Sequence, residues 1–351
     1  MILQVEITTI AFGGAGIAKL PTGKVCFVPG VAPGESVEIQ IVREKKSYAE
    51  ARLVRVIEAS ARRVEPPCPV FGQCGGCQYQ HLAYDLQLAI KRDQVAEALS
   101  RIGGIPSPQV GETVPSPLEY SYRNRITVHT RNGRTGFFAK DSRHVVDVTS
   151  CPISSAALNS SLAALRATKP YDGEHPLREA SEFRGFRQVN AGAADKLLEV
   201  VESLAQPGGK LLIDAYSGGG FFASRLHPLF EDVIGIEWSM DAVRHARESA
   251  PANAIYLRGS VASHLEAALA AAPAETTTVL VDPPAEGLED EVLAMLVERA
   301  PGRLIYISCN PSTLARDASR FRSVFDLQRA CPVDMFPQTA QIECAALFEK
   351  R

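Results

Sequence analysis

Three cysteines lie within ten residues of the stretch PCPVFGQCGGCQYQH, at Cys68, Cys74 and Cys77, in a chain with eight cysteines in all. In a reducing compartment such clustered thiols point to metal binding or catalysis rather than to disulfides. Sites built from four thiolates hold either zinc or iron–sulfur clusters. The spacing does not separate the two metals, so the stretch predicts a metal site with a fourth ligand elsewhere.

A second candidate thiol is Cys309 in LIYISCNPSTLARD, where it follows an apolar strand. Asn310 is a good N-cap residue and Pro311 suits the first helical position, so we expect a helix to start directly after the cysteine. The positive end of that helix is expected to lower the thiol pKa and favour the nucleophilic thiolate. The alternative is an inert cysteine buried at the end of a strand.

A ligand-binding loop is predicted in KLLIDAYSGGGFFASRL, which reads as a strand, a glycine-rich turn and the start of a helix. Gly218 and Gly220 allow the backbone to approach a ligand at the carboxyl end of the strand. The next strand, VIGIE, ends in Glu237, which is placed to accept hydrogen bonds from ribose hydroxyls.

The cofactor of this loop has two interpretations. Gly218-x-Gly220-x-x-Ala223 with a later acid also matches the dinucleotide pattern, so a nicotinamide cofactor is one of them. The acidic Asp214 at the end of the first strand and the strand-end motif Asp282-Pro283-Pro284 favour S-adenosylmethionine.

Three regions are expected to position these residues. Residues 1–58 form short alternating strands separated by Gly and Pro turns, which predicts a small β-barrel of the kind that binds oligonucleotides. Residues 59–190 contain the cysteine-rich loop, a helix in YDLQLAIKRDQVAEALSRIGG, and a hairpin around Asn132-Gly133. In residues 191–351 strands alternate with helices, which predicts an α/β domain with a doubly wound, mostly parallel sheet.

Length and charge are those of a globular protein with two or three domains: 351 residues, 46% hydrophobic and 22% charged. The net charge of -3 hides an asymmetry, because residues 1–150 contain 18 Lys and Arg against 14 Asp and Glu, and the remainder 19 against 26. The basic first part is a modest footprint for a polyanion, or ordinary solvated surface. Without a leader pattern or a long apolar segment, we expect a cytoplasmic protein with no membrane association.

Considered together, the motifs resemble those of the RNA uracil-C5 methyltransferases, which make 5-methyluridine in ribosomal and transfer RNA with S-adenosylmethionine. The similarity spans nearly the whole chain. The residues that carry it are, in chain order, GAGIA, VCFVPGVAPGE, CPVFGQCGGCQYQHLAYDLQLAIK, YRNR, SRHVVDVTSCPI, RQVN, DAYSGGG, DPP, SCNPSTLARD and QIEC.

The resemblance implies a fold of three parts. These are an N-terminal TRAM-like barrel that binds RNA, a central α+β iron–sulfur region and a Rossmann-like class I methyltransferase domain.

The resemblance also implies roles for single residues. Cys309 matches the nucleophile and Glu343 the general base of the family. The positions that match S-adenosylmethionine ligands are Gln188, Tyr216, Glu237 and Asp282. The positions that match the ligands of a [4Fe-4S] cluster are Cys68, Cys74, Cys77 and Cys151.

The uracil chemistry explains these residue types. C5 of uracil is a poor nucleophile until a thiolate adds at C6, and after methyl transfer the C5 proton must leave before the thiolate can be expelled. A cysteine and a carboxylate suit these two steps. The target base is expected to leave its stack to reach them.

The expected substrate is 23S rRNA, with uridine 54 of tRNA as the alternative, and the enzyme is expected to act as a monomer. One departure is that Ala285 and Glu286 follow DPP, where family members often have an arginine. Two other classes of function remain open. One is a nicotinamide-dependent oxidoreductase, and the other is an RNA-binding factor whose catalytic core has decayed.

Overall fold

The computed structural model describes residues 2–140, 142–179 and 188–351. The first part is a closed barrel of five strands in the order β1-β2-β3-β5-β4. The strands are β1 Ile2–Ile10, β2 Ala15–Lys19, β3 Val25–Pro29, β4 Ser36–Glu44 and β5 Tyr48–Glu58. Alternate residues such as Ile7, Val28 and Ile39 fill the interior, as the pleat requires. The predicted N-terminal β-barrel is confirmed.

The cysteine-rich loop leads into helix α1, Tyr84–Arg101, the helix predicted in this stretch. Its buried side chains include Ile90, Val95 and Leu99. A four-stranded antiparallel sheet of order β8-β7-β6-β9 follows. Its members are β6 Arg125–Arg131, β7 Arg134–Phe138, β8 Val145–Asp147 and β9 Gly173–Arg178, covered by helix α2, Ala156–Ala167.

The hairpin predicted at Asn132-Gly133 joins β6 to β7. Both turn residues have positive φ, 51° and 74°, which is the conformation that this dipeptide favours in a two-residue hairpin turn. The local sequence therefore fixes the register of this pair.

The third part is a seven-stranded sheet of order β12-β11-β10-β13-β14-β16-β15. Its strands are β10 Gly209–Ala215, β11 Phe230–Glu237, β12 Ala254–Arg258, β13 Thr277–Val281, β14 Arg303–Ser308, β15 Phe325–Val333 and β16 Glu343–Lys350. Its helices are α3 Ala191–Ala205, α4 Ala223–Leu226, α5 Met240–Glu248, α6 Val261–Leu269, α7 Asp290–Arg299 and α8 Pro311–Phe321, with short 3-10 turns at His227–Leu229 and Ala274–Thr276.

The predicted doubly wound sheet is confirmed for the five parallel strands from β12 to β14, and β16 adds an antiparallel strand between β14 and β15. Helices cover both faces. Leu211 and Ile213 of β10 face a core that includes α6, α7 and α8, whereas Leu212 faces α3, α4 and α5. This arrangement brings the carboxyl ends of the central strands to one edge, where ligands of such sheets bind.

Helix α1 belongs to the predicted central region, 59–190, but packs against the predicted methyltransferase region, 191–351. It packs against α8, and Val95 and Leu99 belong to the same buried core as Leu314 of α8. Within the described residues, no helix is long and apolar enough to cross a membrane.

Candidate active site

Cys309 directly follows β14 and is exposed to solvent. Helix α8 begins two residues later, where the Asn310 side chain accepts hydrogen bonds from Ser312 N at 3.0 Å and Thr313 N at 3.4 Å. The predicted cap, with Pro311 at the first helical position, is therefore confirmed.

The pKa of Cys309 departs from the prediction. Although the residue as a whole is exposed, protein atoms near its sulfur desolvate the thiol, which is the largest cause. The charges of Glu343 and Asp282 follow, and together these causes raise the thiol pKa above its ordinary value. The expectation that the helix end would lower this pKa is wrong, because burial of the sulfur and then the charges of the two carboxylates raise it. Loss of a neighbouring negative charge would favour the thiolate.

Glu343 is the first residue of β16 and lies beside Cys309. The two strands pair antiparallel with Ser308 opposite Cys344, so Cys309 and Glu343 occupy the next position along the pair. Protein atoms enclose the carboxyl group although part of the residue remains accessible. Burial first, and then the charge of Asp282, raises the pKa of Glu343 to about 8. A carboxylate with such a pKa is a stronger base than an ordinary glutamate.

Asp282 completes this group at the end of β13, the parallel neighbour of β14. Burial raises the pKa of its carboxyl to about 7. The three strand ends thus place two carboxyls of raised pKa next to one thiol, an arrangement typical of active sites.

The glycine-rich loop connects β10 to α4. Tyr216 and Gly218 adopt positive φ, 65° and 53°, and a Cβ on Gly218 would meet no atom within 4 Å. Gly218 therefore offers open backbone to a ligand, as predicted. Gly220 has a different reason to be glycine, since a Cβ there would lie 2.5 Å from Tyr256 Oη.

Glu237 ties this loop to the next one. Its two carboxylate oxygens accept hydrogen bonds from Gly218 N at 3.0 Å and Ser239 N at 2.7 Å. Each oxygen keeps a further lone pair, so the carboxylate can still accept from the hydroxyls of a ribose.

Two buried polar atoms below the loop lack partners in the described structure. Asp214 Oδ2 accepts from Ala223 N at 3.1 Å, but Asp214 Oδ1 and Ser217 Oγ accept or donate no hydrogen bond. Burial raises the pKa of Asp214 to about 7. Unsatisfied buried groups at the carboxyl end of β10, beside an open glycine, fit the polar groups of a bound nucleoside such as S-adenosylmethionine.

Two known protein families and several RNA methyltransferases are similar to this chain. A TRAM domain matches residues 2–54, and the family tRNA (uracil-5-)-methyltransferase matches residues 267–351. An RNA methyltransferase of Gloeobacter violaceus is 31% identical over 442 aligned positions, which cover 99% of this chain and 96% of the relative. An RNA methyltransferase of Bdellovibrio bacteriovorus is 32% identical over 373 positions, covering 98% and 94%.

The chain belongs to this RNA methyltransferase family. It is an S-adenosylmethionine-dependent RNA methyltransferase, and the family assigned from the sequence motifs is confirmed. Among solved structures, the tRNA (uracil-54, C5)-methyltransferase of Pyrococcus abyssi in complex with S-adenosyl-L-homocysteine shares the fold. The TM-score is 0.73 at 23% identity, over 99% of this chain and all of that one.

Two further residues predicted to bind the cofactor, Tyr216 and Gln188, lie in different parts of the chain. Tyr216 lies in the loop, and its hydroxyl donates a hydrogen bond to Glu289. The backbone oxygen of Gln188 accepts a hydrogen bond from Asn124 Nδ2 at 2.8 Å, and the residue adjoins residues 180–187, which lie outside the described part.

The four predicted cluster cysteines of the methyltransferase line one cavity of about 90 Å³. Its wall also includes Val70, Phe71, Ile126 and Phe137. Burial raises the pKa of Cys68, Cys74 and Cys77, that of Cys77 to about 12. Hydrogen bonds join Cys151 N and O to the side chain of Asn159 at 2.8 and 3.1 Å.

The four thiols match in number the ligands of a zinc ion or of an iron–sulfur cluster. Over the described ranges, no three His, Cys, Asp or Glu side chains form a group that could hold one metal ion. A tetrahedral zinc would need each sulfur within about 2.3 Å of one point. The four cysteines share one mainly apolar cavity, in which either metal would be held by the same residues.

Sequence reasoning missed the contacts that hold the segment before Glu343. Lys91 and Asp334 form a fully buried ion pair at 2.6 Å across 243 residues of sequence. A lone lysine on a helix gives no signal of so distant a partner. Missed as well was Arg316 of α8, which donates to Glu286 O at 2.7 Å and brings a guanidinium beside the segment where the arginine after DPP is absent.

Proposed function

We propose that this methyltransferase transfers a methyl group from S-adenosylmethionine to C5 of a uridine in RNA. In this proposal Cys309 is the nucleophile and Glu343 the general base. The observation that carries it is the adjacency of the two residues at the paired ends of β14 and β16.

The reaction begins when the Cys309 thiolate forms a bond to C6 of uracil, and the electrons of the C5–C6 double bond move toward C5 and the O4 carbonyl. C5 then bonds to the methyl group that S-adenosylmethionine supplies, and breaking of the S–CH3 bond releases S-adenosylhomocysteine. Glu343 then takes the proton from C5, the double bond re-forms, and the sulfur leaves C6 as a thiolate. The raised pKa of Glu343, about 8, makes its carboxylate a stronger base than an ordinary glutamate and supports this role.

For the cofactor, we propose that Gly218 and Glu237 bind the nucleoside part, with Tyr216, Asp282 and Gln188 as further ligands. The open backbone at Gly218 and the remaining lone pairs of Glu237 support this assignment. Gln188 rests on its match to the family pattern alone.

We further propose that Cys68, Cys74, Cys77 and Cys151 hold a [4Fe-4S] cluster, supported by their shared cavity. Such a cluster would join the cysteine-rich loop to the segment after β8. The barrel formed by residues 2–58 is proposed to bind RNA, supported by its TRAM match.

The proposed RNA is 23S rRNA. Position 54 of tRNA is the alternative, favoured by the fold shared with the Pyrococcus abyssi enzyme.

Two measurements test the function. Tritiated methyl transfer to rRNA and tRNA lacking 5-methyluridine, followed by mass-spectrometric mapping, should locate one or more 5-methyluridines. Glu343→Gln should trap a covalent protein–RNA adduct visible on denaturing gels. Absence of methylation in every RNA fraction, with cofactor bound, would refute the proposal. Normal turnover by Glu343→Gln without an adduct would remove Glu343 from the mechanism.

A further inference from the structure

The segment 334–342 connects β15 to the residue proposed as the base, and its backbone is tightly held. Gln338 adopts a positive φ of 69°, a conformation that costs energy for a non-glycine residue and persists only where surrounding contacts enforce it. Its backbone N donates to Gln87 Oε1 at 3.0 Å, and its side-chain oxygen accepts from Gln87 Nε2 at 2.9 Å. Helix α1 thus holds one side of the segment.

The cysteine-rich loop holds the other side through Gln78. The backbone N atoms of Gln78 and Tyr79 both donate to Gln338 O, at 3.1 and 2.9 Å. The Gln78 side chain accepts from Ala340 N at 3.1 Å and donates to Gly75 O at 2.8 Å. One amide group therefore bonds both the cysteine-rich loop and the segment that leads to Glu343.

The N-terminal barrel also packs against Gln78 and Ala340. A Cβ on Gly14 would lie 2.8 Å from Gln78 Cβ and 3.4 Å from Ala340 Cβ, so the barrel backbone packs directly on both residues. Ile10 shares a buried cluster with Tyr79 and Ala340. Gln78 is consequently a junction of the barrel, the cysteine-rich loop and the segment before Glu343.

We propose that Gln78 is a positioning residue for proton removal, acting through its hydrogen bond to Ala340 N, three residues before Glu343. The inference rests on the proposed role of Glu343 as the base. From Ala340 the chain passes through Ile342, which is fully buried, so a displacement at Ala340 is passed on to the base. Gln78 holds the base in place but does not touch the substrate.

Two variants separate this bond from the others. Gln78→Met keeps the length of the side chain and removes both of its hydrogen bonds. Gln78→Glu keeps an acceptor for Ala340 N and loses only the donor to Gly75 O. The readouts are the rates at which the protein–RNA adduct forms and decays, measured on the RNA that the wild-type protein methylates. Cofactor affinity, bound metal and thermal unfolding are measured alongside.

For Gln78→Met we expect adduct decay to slow by about tenfold, the effect of one lost hydrogen bond on one step, with adduct formation and cofactor affinity within about twofold of wild type. Gln78→Glu should decay at nearly the wild-type rate.

Unchanged decay in Gln78→Met, or equal loss of formation, decay and cofactor affinity, would overturn the positioning role while leaving the proposed function intact. Equal slowing in both variants would overturn it too, because the bond to Gly75 would then be responsible. A wild-type protein that forms no adduct with RNA would overturn the proposed function and this inference together.

Discussion

Cys309 directly follows β14 and Glu343 begins β16, each one residue beyond the Ser308–Cys344 pair of these antiparallel strands. The charge of Glu343 raises the pKa of the Cys309 thiol, so the carboxylate and the thiolate disfavour each other. A neutral Glu343 therefore removes one of the charges that oppose thiolate formation at Cys309.

Cys309→Ala should abolish methyl transfer to RNA while S-adenosylmethionine binding remains within about twofold of wild type, because the cofactor loop lies on other strands. Transfer is measured with tritiated methyl groups and binding by calorimetry. The matched control is Cys331→Ala, which removes a buried thiol of β15 and should leave transfer intact. Full activity of Cys309→Ala would exclude a covalent role for this cysteine.

Glu343→Gln should stabilise the protein at pH 8. The folded state raises the pKa of Glu343 to about 8, so it holds the proton more tightly than the unfolded chain does. Its contribution is therefore present at low pH and is lost as the pH rises from the ordinary glutamate value through about 8. The neutral amide avoids this loss, and we expect a gain of about 1 kcal/mol or more at pH 8, the equivalent of one pKa unit.

Urea unfolding at pH 5 and pH 8 measures this difference, which should be smaller at pH 5. The control is Glu349→Gln, near the other end of β16, where the carboxylate lies 3.3 Å from Arg303. That variant should not become more stable at pH 8. A Glu343→Gln protein that is less stable than wild type at pH 8 would contradict the buried, proton-binding environment described for Glu343.

Glu237→Ala should weaken S-adenosylmethionine binding by about tenfold or more, since it removes the bonds that join the two cofactor loops as well as an acceptor for the ribose. RNA affinity should stay unchanged. Glu231→Ala, at the exposed opposite end of β11, serves as the control and should bind the cofactor normally. Equal cofactor affinity in the two variants would disprove the role of Glu237.

Protein purified without oxygen should be brown and should contain iron. Cys77→Ser should lose most of this iron, because serine is a poor ligand for an iron–sulfur cluster. Cys26→Ser, in the barrel interior, should retain it. Stoichiometric zinc without iron in the wild-type protein would overturn the cluster in favour of a single zinc site.

Features set by short stretches of sequence could be predicted. The barrel strands, α1, the turn at Asn132-Gly133 and the cap at Asn310 each depend on neighbouring residues, whose alternation, spacing or turn chemistry is visible in the sequence. The parallel strands were recognisable for the same reason. Adding Cys151 to the other three cysteines depended on the family pattern, because no local signal joins residues so far apart.

Properties that depend on distant residues could not be predicted. The pKa of Cys309 follows from carboxylates on β13 and β16, and local reasoning saw only the helix that comes after it. Likewise, the bond between Gln87 and Gln338 spans 251 residues. Neither side chain has a type or a spacing that would identify its partner.

The position of α1 also limits how this enzyme can be divided. Since Val95 and Leu99 fill the same core as α8 and the central strands, a fragment starting at residue 191 would leave an apolar groove open to water. We therefore expect residues 191–351 not to fold stably when they are fused, without α1, to another RNA-binding domain. A chimaeric enzyme would need residues 84–101 together with the Rossmann-like sheet, although helix α1 lies far from that sheet in the sequence.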